Sequence, residues 1–220
     1  MKNKFMQSSI VLAIIAIGIT IGSVFITQYI VGTIAFIFYG TSKYSETPTI
    51  FFVLAYSLAT LMLLLGYALF GVWIERREVT EFAKKGAAKE LGQGIAIGSG
   101  IIAVVVAILW MLGYYKVVGT ATAEVLVRPL FSSILAGVAG EVIFRGILFR
   151  FVEKGWGSRI ALILFAILFG FLHAANPNAT FVGGLAIAVG AGLLLGSAYM
   201  WTRRLWLVMG IHFAWNFTLG

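Results

Sequence analysis

Apolar runs long enough to cross a hydrocarbon core of roughly 30 Å recur along this chain, and each such crossing needs about 20 residues as a helix. They run approximately Ser9 to Tyr39, Ile50 to Trp73, Gly92 to Tyr114, Pro129 to Phe149, Ile160 to His173, Thr180 to Trp201 and Leu205 to Leu219. No other feature constrains the fold as much, because in lipid only helices and closed barrels satisfy every backbone polar group. A barrel would show short segments of alternating apolar and polar residues, and this chain does not. With 61% hydrophobic and 11% charged residues, an ordinary soluble domain is excluded. The expected fold is all-α, a polytopic transmembrane helical bundle of about seven spans. Its first span is longer than a crossing requires and is expected to tilt or break, whereas the fifth and last are short.

The net charge of +8 does not point to nucleic acid, because the basic residues sit in short clusters beside apolar spans, where they set topology and meet anionic lipid. Seven spans with a cytoplasmic N-terminus place Lys2, Lys4, Arg76, Arg77, Lys84, Lys85, Lys89, Arg150, Lys154, Arg159, Arg203 and Arg204 inside, and only Lys43, Lys116 and Arg128 outside. This matches the positive-inside rule and places the chain in a plasma membrane, expected to be bacterial. The first span is too long for a signal peptide and lacks a clear cleavage site, so it is expected to be retained. Absence of cysteine removes disulfides and thiolate metal sites. The segment Glu75 to Glu90 alternates in charge; it is expected either as an interfacial helix with Val79, Phe82 and Ala83 toward lipid or as a solvated loop. Gly18 with Gly22, Gly94 with Gly98, and Gly192 with Gly196 have the spacing that lets helices approach closely.

Ionisable groups inside a membrane cost several kcal/mol unless paired or facing a cavity. Glu141 and Arg145 in the fourth span, His173 closing the fifth, and His212 and Asn216 in the last are therefore the candidates for function. Counted at about 1.5 Å per residue from Arg150, Arg159 and Arg204, Glu141, His173, His212 and Asn216 fall in one band roughly 12 to 21 Å from the cytoplasmic face. Glu141 with Arg145, Phe169 with His173, and His212 with Asn216 are each four residues apart and share a helix face. Singly, each has a bland explanation: an ion pair neutralised within the bundle, a helix-end histidine, an amide clamp between helices. Together they hold the groups of acyl hydrolysis, a carboxylate and histidine to activate water and a histidine with an amide to stabilise an oxyanion. Two histidines and a carboxylate also make a zinc set, so the residues alone leave metal open. A transporter would instead distribute polar residues along a path through the membrane.

The segments AGEVIFRGILFR at Ala139 to Arg150, FGFLHAANPNAT at Phe169 to Thr180 and HFAWN at His212 to Asn216 resemble the three motifs of the CPBP family of intramembrane proteases. This family, also called Abi, groups type II CAAX prenyl endopeptidases with bacteriocin-processing and bacteriocin-immunity proteins. The resemblance covers roughly Arg128 to Gly220. It implies N-terminal transmembrane helices over residues 1–127 and a catalytic core over 128–220, within one structural unit. It further implies a membrane endopeptidase acting on bacteriocin-like peptides or membrane-anchored precursors, with the lipid bilayer and a peptide substrate as partners. The implied site is Glu141, Arg145, His173, His212 and Asn216, with no cofactor expected and zinc at the histidines as the alternative.

The first family motif is two adjacent glutamates, three variable residues and an arginine; aligned on Arg145, its second glutamate is Glu141 and its first falls on Gly140. In the family that first glutamate and the histidine matching His173 are thought to activate the water, while the residues matching His212 and Asn216 form the oxyanion hole. A shift of one residue turns a side chain by about 100° around a helix, so Glu141 can take the missing role only through a local bulge. Gly140 is expected either as a changed catalytic position or as a packing residue beside Ala136. The chain ends just after the third motif, where further helix is expected. The alternative function is a catalytically impaired member acting as a peptide-binding or bacteriocin-immunity membrane protein.

Overall fold

A computed structural model describes residues 2–40, 47–120, 122–173 and 179–219, with side chains from residue 10 onward. Every regular element among them is helical. The first, α1 (Lys2–Tyr39), is a single long helix, followed by α2 (Thr49–Leu69), which continues as a π-helical turn through Phe70–Ile74. Next come α3 (Ala87–Met111) and α4 (Val127–Glu141), the latter passing into a π-helical stretch, Val142–Phe149, and then into α5 (Arg150–Trp156). α6 (Ser158–Leu172), α7 (Phe181–Ile187), a π turn at Ala188–Gly192, α8 (Leu193–Thr202) and α9 (Trp206–Leu219) complete the chain.

Among the described residues, five helical runs are long and apolar enough to cross a membrane: residues 10–39, 49–74, 87–111, 123–156 and 181–202. α6 and α9 are shorter, as expected for the fifth and last apolar segments. Of the two expectations for the first span, tilt or break, the break is absent, and the fourth is longer than the apolar run alone indicates because helix continues through the charged α5. Large apolar side chains such as Phe25, Phe38 and Trp110 point outward, whereas Leu63, Val142, Ile147, Phe149, Phe165 and Val208 are buried. This is the distribution of an integral membrane bundle, whose outer solvent is hydrocarbon.

Close helix approach is concentrated at α3 and α9. A Cβ placed on Gly94 would lie 2.2 Å from the Leu207 carbonyl oxygen, and one on Gly98 would lie 2.6 Å from that of Ile211. Gly192 and Gly196 likewise lie against Ala166 and Leu162 of α6. Gly18 and Gly22 have no neighbour within 4 Å among the described residues, so that spacing is not used for contact within the described part of the chain.

The basic loops gather at one end. Arg150 donates to both oxygens of Glu75, at 2.8 and 2.5 Å, Arg203 makes a two-point ion pair with Glu153, and Arg204 donates to the Lys85 carbonyl. At the other end Arg128 reaches the Thr47 carbonyl and lies over the Phe52 ring. Lys2, Lys4 and Lys43 belong to the expected topology but lie outside the described side chains. The segment between α2 and α3 differs from both expectations. It contains one 3-10 turn, Thr80–Phe82, and it turns inward: Phe82 packs edge-on against Tyr67 and Trp206, Val79 packs on the core, and Glu81 is buried. Only Ala83 is exposed as expected. The reason is electrostatic, because Glu75 and Glu81 are drawn to Arg77, Arg150 and Lys154 and carry Val79, between them, and Phe82, next to Glu81, inward.

Burial raises the Glu75 carboxyl, but hydrogen bonds from Arg150 and Arg77 outweigh it and hold the group below its ordinary value of 4.5. A depressed folded-state pKa contributes stability that is fully present above the unfolded value and is lost as pH falls through the folded one. Thermal unfolding of the detergent-solubilised protein is therefore expected to be insensitive to Glu75 ionisation at neutral pH and to weaken below the ordinary carboxylate range. A Glu75→Gln variant should melt lower at neutral pH and show a shallower acid slope than the parent.

Candidate active site

The site is built where three helices meet around one buried carboxylate. Glu141 is the last residue of α4, completely buried, and Arg145 lies one turn on in the π-helical stretch, 1% exposed. Arg145 donates through Nη1 to Glu141 Oε1 at 3.1 Å and through Nη2 to the carbonyl of Gly192 at 3.2 Å, so the guanidinium bridges two π-helical segments. Its plane also approaches the Phe169 ring, 5.0 Å from the centroid. An ion in this apolar interior requires such compensation, since isolated charge there costs several kcal/mol.

The same Oε1 meets His212 Nδ1 at 2.7 Å. A carboxylate compensated by a guanidinium accepts hydrogen bonds, so the imidazole donates through Nδ1–H and its Nε2 carries the lone pair in the neutral ring. His173 is fixed in a parallel way: Nδ1 lies 2.7 Å from the Phe169 carbonyl, which can only accept, so here too Nε2 is left for other partners. The Phe169 ring stands between the two histidines, with centroids 4.8 Å from His173 and 5.5 Å from His212.

His173, His212 and Asn216 line one cavity of about 230 Å³. Its remaining walls are apolar, formed by Phe169, Ile187, Ala191, Leu194, Leu195, Ile211, Trp215 and Leu219. Of the five residues expected at the site, the structure thus brings three to the cavity surface and sets Glu141 and Arg145 behind it, with Glu141 holding the His212 ring from the rear. The carboxylate is paired with His212 and not with His173. The Ala174 to Pro177 part of the second motif lies outside the described residues.

Gly140 does not pack beside Ala136, which is exposed. A Cβ at Gly140 would lie 2.7 Å from His212 Cε1 and 3.2 Å from Nδ1, so the imidazole rests directly on the glycine backbone. Absence of a side chain at 140 is what lets His212 lie there and reach Glu141. Two participants were not singled out from the sequence. The Gly192 carbonyl carries no residue-type signal at all. Tyr67, whose hydroxyl meets the Gly146 carbonyl one residue past Arg145 at 2.9 Å, is masked by the apolar run around it; its only signal is a phenol within a crossing segment, where the hydroxyl needs a partner.

A metal would find a poor donor set. Glu141 Oε1 is committed to Arg145 and His212, Oε2 has no hydrogen-bond partner among the described residues, and among those residues no three His, Cys, Asp or Glu side chains are grouped to hold an ion. Among the described residues only two imidazoles and a neutral amide face the cavity, whereas zinc is commonly held in hydrolases by three protein ligands.

Removing the Glu141 charge leaves Arg145 buried with the Gly192 carbonyl as its one remaining hydrogen-bond acceptor among the described residues. Glu141→Leu is expected to lower stability by about 3–5 kcal/mol, read as loss of folded yield and a lower melting temperature in detergent. The double variant Glu141→Leu, Arg145→Met, which removes both charges, should recover much of that loss.

Compared with known proteins, residues 122–218 match the family model Type II CAAX prenyl endopeptidase Rce1-like. The matched stretch runs from just ahead of α4 nearly to the end of α9 and contains all five site residues. Searches of curated proteins and of solved structures gave no match.

Proposed function

From the premise that residues 122–218 are a segment of the type II CAAX prenyl endopeptidase Rce1-like family, we propose that this integral membrane protein is an intramembrane endopeptidase. It hydrolyses peptide bonds of membrane-associated or bacteriocin-like peptides with a water activated by the Glu141 and His212 pair. The observation that carries this reading is the cavity: two imidazoles, each tied at Nδ1 to an acceptor, line one apolar chamber together with an amide. A binding pocket for apolar segments alone has no need of a carboxylate held behind an imidazole.

In the proposed reaction, neutral His212 donates Nδ1–H to Glu141 and accepts a water proton at Nε2 as the water oxygen attacks the scissile carbonyl carbon. Glu141 stabilises the imidazolium that forms, the part a carboxylate plays behind histidine in hydrolytic triads. Arg145 keeps Glu141 aimed. His173, through Nε2, accepts a hydrogen bond from the water and orients it. The Asn216 amide donates to the developing oxyanion. The imidazolium then returns its proton to the amide nitrogen as the C–N bond breaks. The apolar walls exclude bulk water and take apolar substrate side chains. No metal enters this scheme, and insensitivity of cleavage to a strong chelator is expected. The proposal places the chain in a bacterial plasma membrane with its N-terminus and basic loops cytoplasmic, with lipid and peptide, and no nucleic acid, as partners.

The test is cleavage of a fluorogenic peptide library by the purified protein in detergent. His212→Ala and His173→Ala are each expected to lower kcat/KM by at least about 100-fold. Gly140→Glu is expected to lower activity as well, because a side chain at 140 displaces the His212 ring. Activity that appears only in Gly140→Glu would overturn this assignment of the base, and a silent parent that retains peptide would replace the endopeptidase reading by a peptide-binding one.

A further inference from the structure

We infer that Tyr67 is a positioning residue for His212, acting across the bundle through the π-helical stretch; the inference rests on the endopeptidase reading of the same site. Tyr67 lies in α2, completely buried. Its hydroxyl is 2.9 Å from the Gly146 carbonyl and 3.1 Å from Glu81 Oε1, and it accepts from Arg77 Nη2 at 3.1 Å. Arg150 Nε donates to the same Gly146 carbonyl at 2.9 Å. The approach depends on glycine: a Cβ at 146 would lie 3.1 Å from both the hydroxyl and its ring carbon.

The consequence lies in what adjoins Gly146. The preceding residue is Arg145, whose guanidinium holds Glu141 Oε1, which in turn holds His212 Nδ1. This sequence of contacts runs along a π-helical stretch, a backbone form that is rare, occurs mostly as single turns and is frequent at functional sites. Fixing one carbonyl of it from another helix, by the Tyr67 phenol, beside the bond Arg150 makes from the same helical run, fixes how the stretch is turned and hence where Arg145 and Glu141 point. The same hydroxyl is joined through Arg77 and Glu81 to the loop between α2 and α3. Docking of that basic-end loop and alignment of the imidazole therefore share one hydrogen-bonding atom.

The experiment uses the full chain in detergent, with histidine labelled by nitrogen-15. Two histidines in the sequence give two sets of ring signals, assigned with a His173→Gln chain. Tyr67→Phe is expected to shift the His212 ring nitrogens and leave those of His173 in place. In cleavage assays the same variant should lower kcat on the order of tenfold or more with KM nearly unchanged. Phe82→Leu loosens the same corner without removing the hydroxyl and should lower the melting temperature while leaving His212 unmoved. If Tyr67→Phe does not yield folded protein, Arg77→Gln, which strips the hydroxyl of its donor, is measured in the same way. Unchanged His212 signals in the folded variant, with or without a fall in melting temperature, overturn the inference. A parent that cleaves nothing defeats the endopeptidase reading, and the ring signals still decide the role of Tyr67.

Discussion

The interaction on which the rest depends is the buried ion pair of Glu141 and Arg145. Both side chains are withdrawn from any solvent, at 0% and 1% exposure, in a molecule whose outer surface is itself apolar. A charge in such a place is tolerated only when its partners are fixed, so the pair imposes order on everything that supplies a partner. Arg145 requires the Gly192 carbonyl and thereby ties α4 to the start of α8; Glu141 requires His212 and thereby ties α4 to α9. The helices do not need these bonds to be helices. They need them to be in register with one another, which is the specificity use of buried polar groups.

Register is also where the π-helical segments enter. An unbroken α-helix repeats its faces every 3.6 residues, and a bundle assembled from such helices alone presents each side chain on a face set by that period. Val142–Phe149 and Ala188–Gly192 depart from it, and Arg145 joins the first to the last carbonyl of the second. The two irregular stretches thus stabilise each other. Nothing comparable is needed at α3 and α9, where Gly94, Gly98 and Gly210 let two backbones touch and packing alone decides the geometry.

Much of this was legible in the sequence. Bilayer thickness makes apolar length informative, so the positions of the crossing helices were readable from the runs themselves, and the rule that membrane interiors shed charge left few candidates for a site. Glu141, Arg145, His173, His212 and Asn216 do gather around one cavity wall. What sequence spacing did not disclose was pairing. Equal depth allows Glu141 to meet either histidine, and only the relative rotation of α4, α6 and α9 selects His212. The loop after α2 was misjudged for a related reason: alternating charge suggests a solvated or interfacial face when partners are unknown, whereas Glu75 and Glu81 have cationic partners some 70 residues away or close by, and these pull Val79 and Phe82 inward. Tyr67 gave only a weak signal, because phenols in apolar runs ordinarily serve as membrane-interface residues and its contact toward the site is with a carbonyl, which no side-chain pattern reports.

Gly140 carries the last step. The motif resemblance places a glutamate at this position, so the glycine reads from sequence as a missing catalytic group. The geometry gives the glycine a positive consequence. With no Cβ at 140, the His212 ring lies on the α4 backbone and its Nδ1 comes within 2.7 Å of Glu141, a contact that any side chain at 140 would crowd at the ring carbon. Absence of a side chain at 140 and tight engagement of Glu141 with His212 thus go together. The Glu141 carboxylate is held on the imidazole from the side away from the cavity, leaving Nε2 for other partners. In the proposed reaction the carboxylate and histidine that activate water are Glu141 and His212, positions other than those the motif resemblance implies.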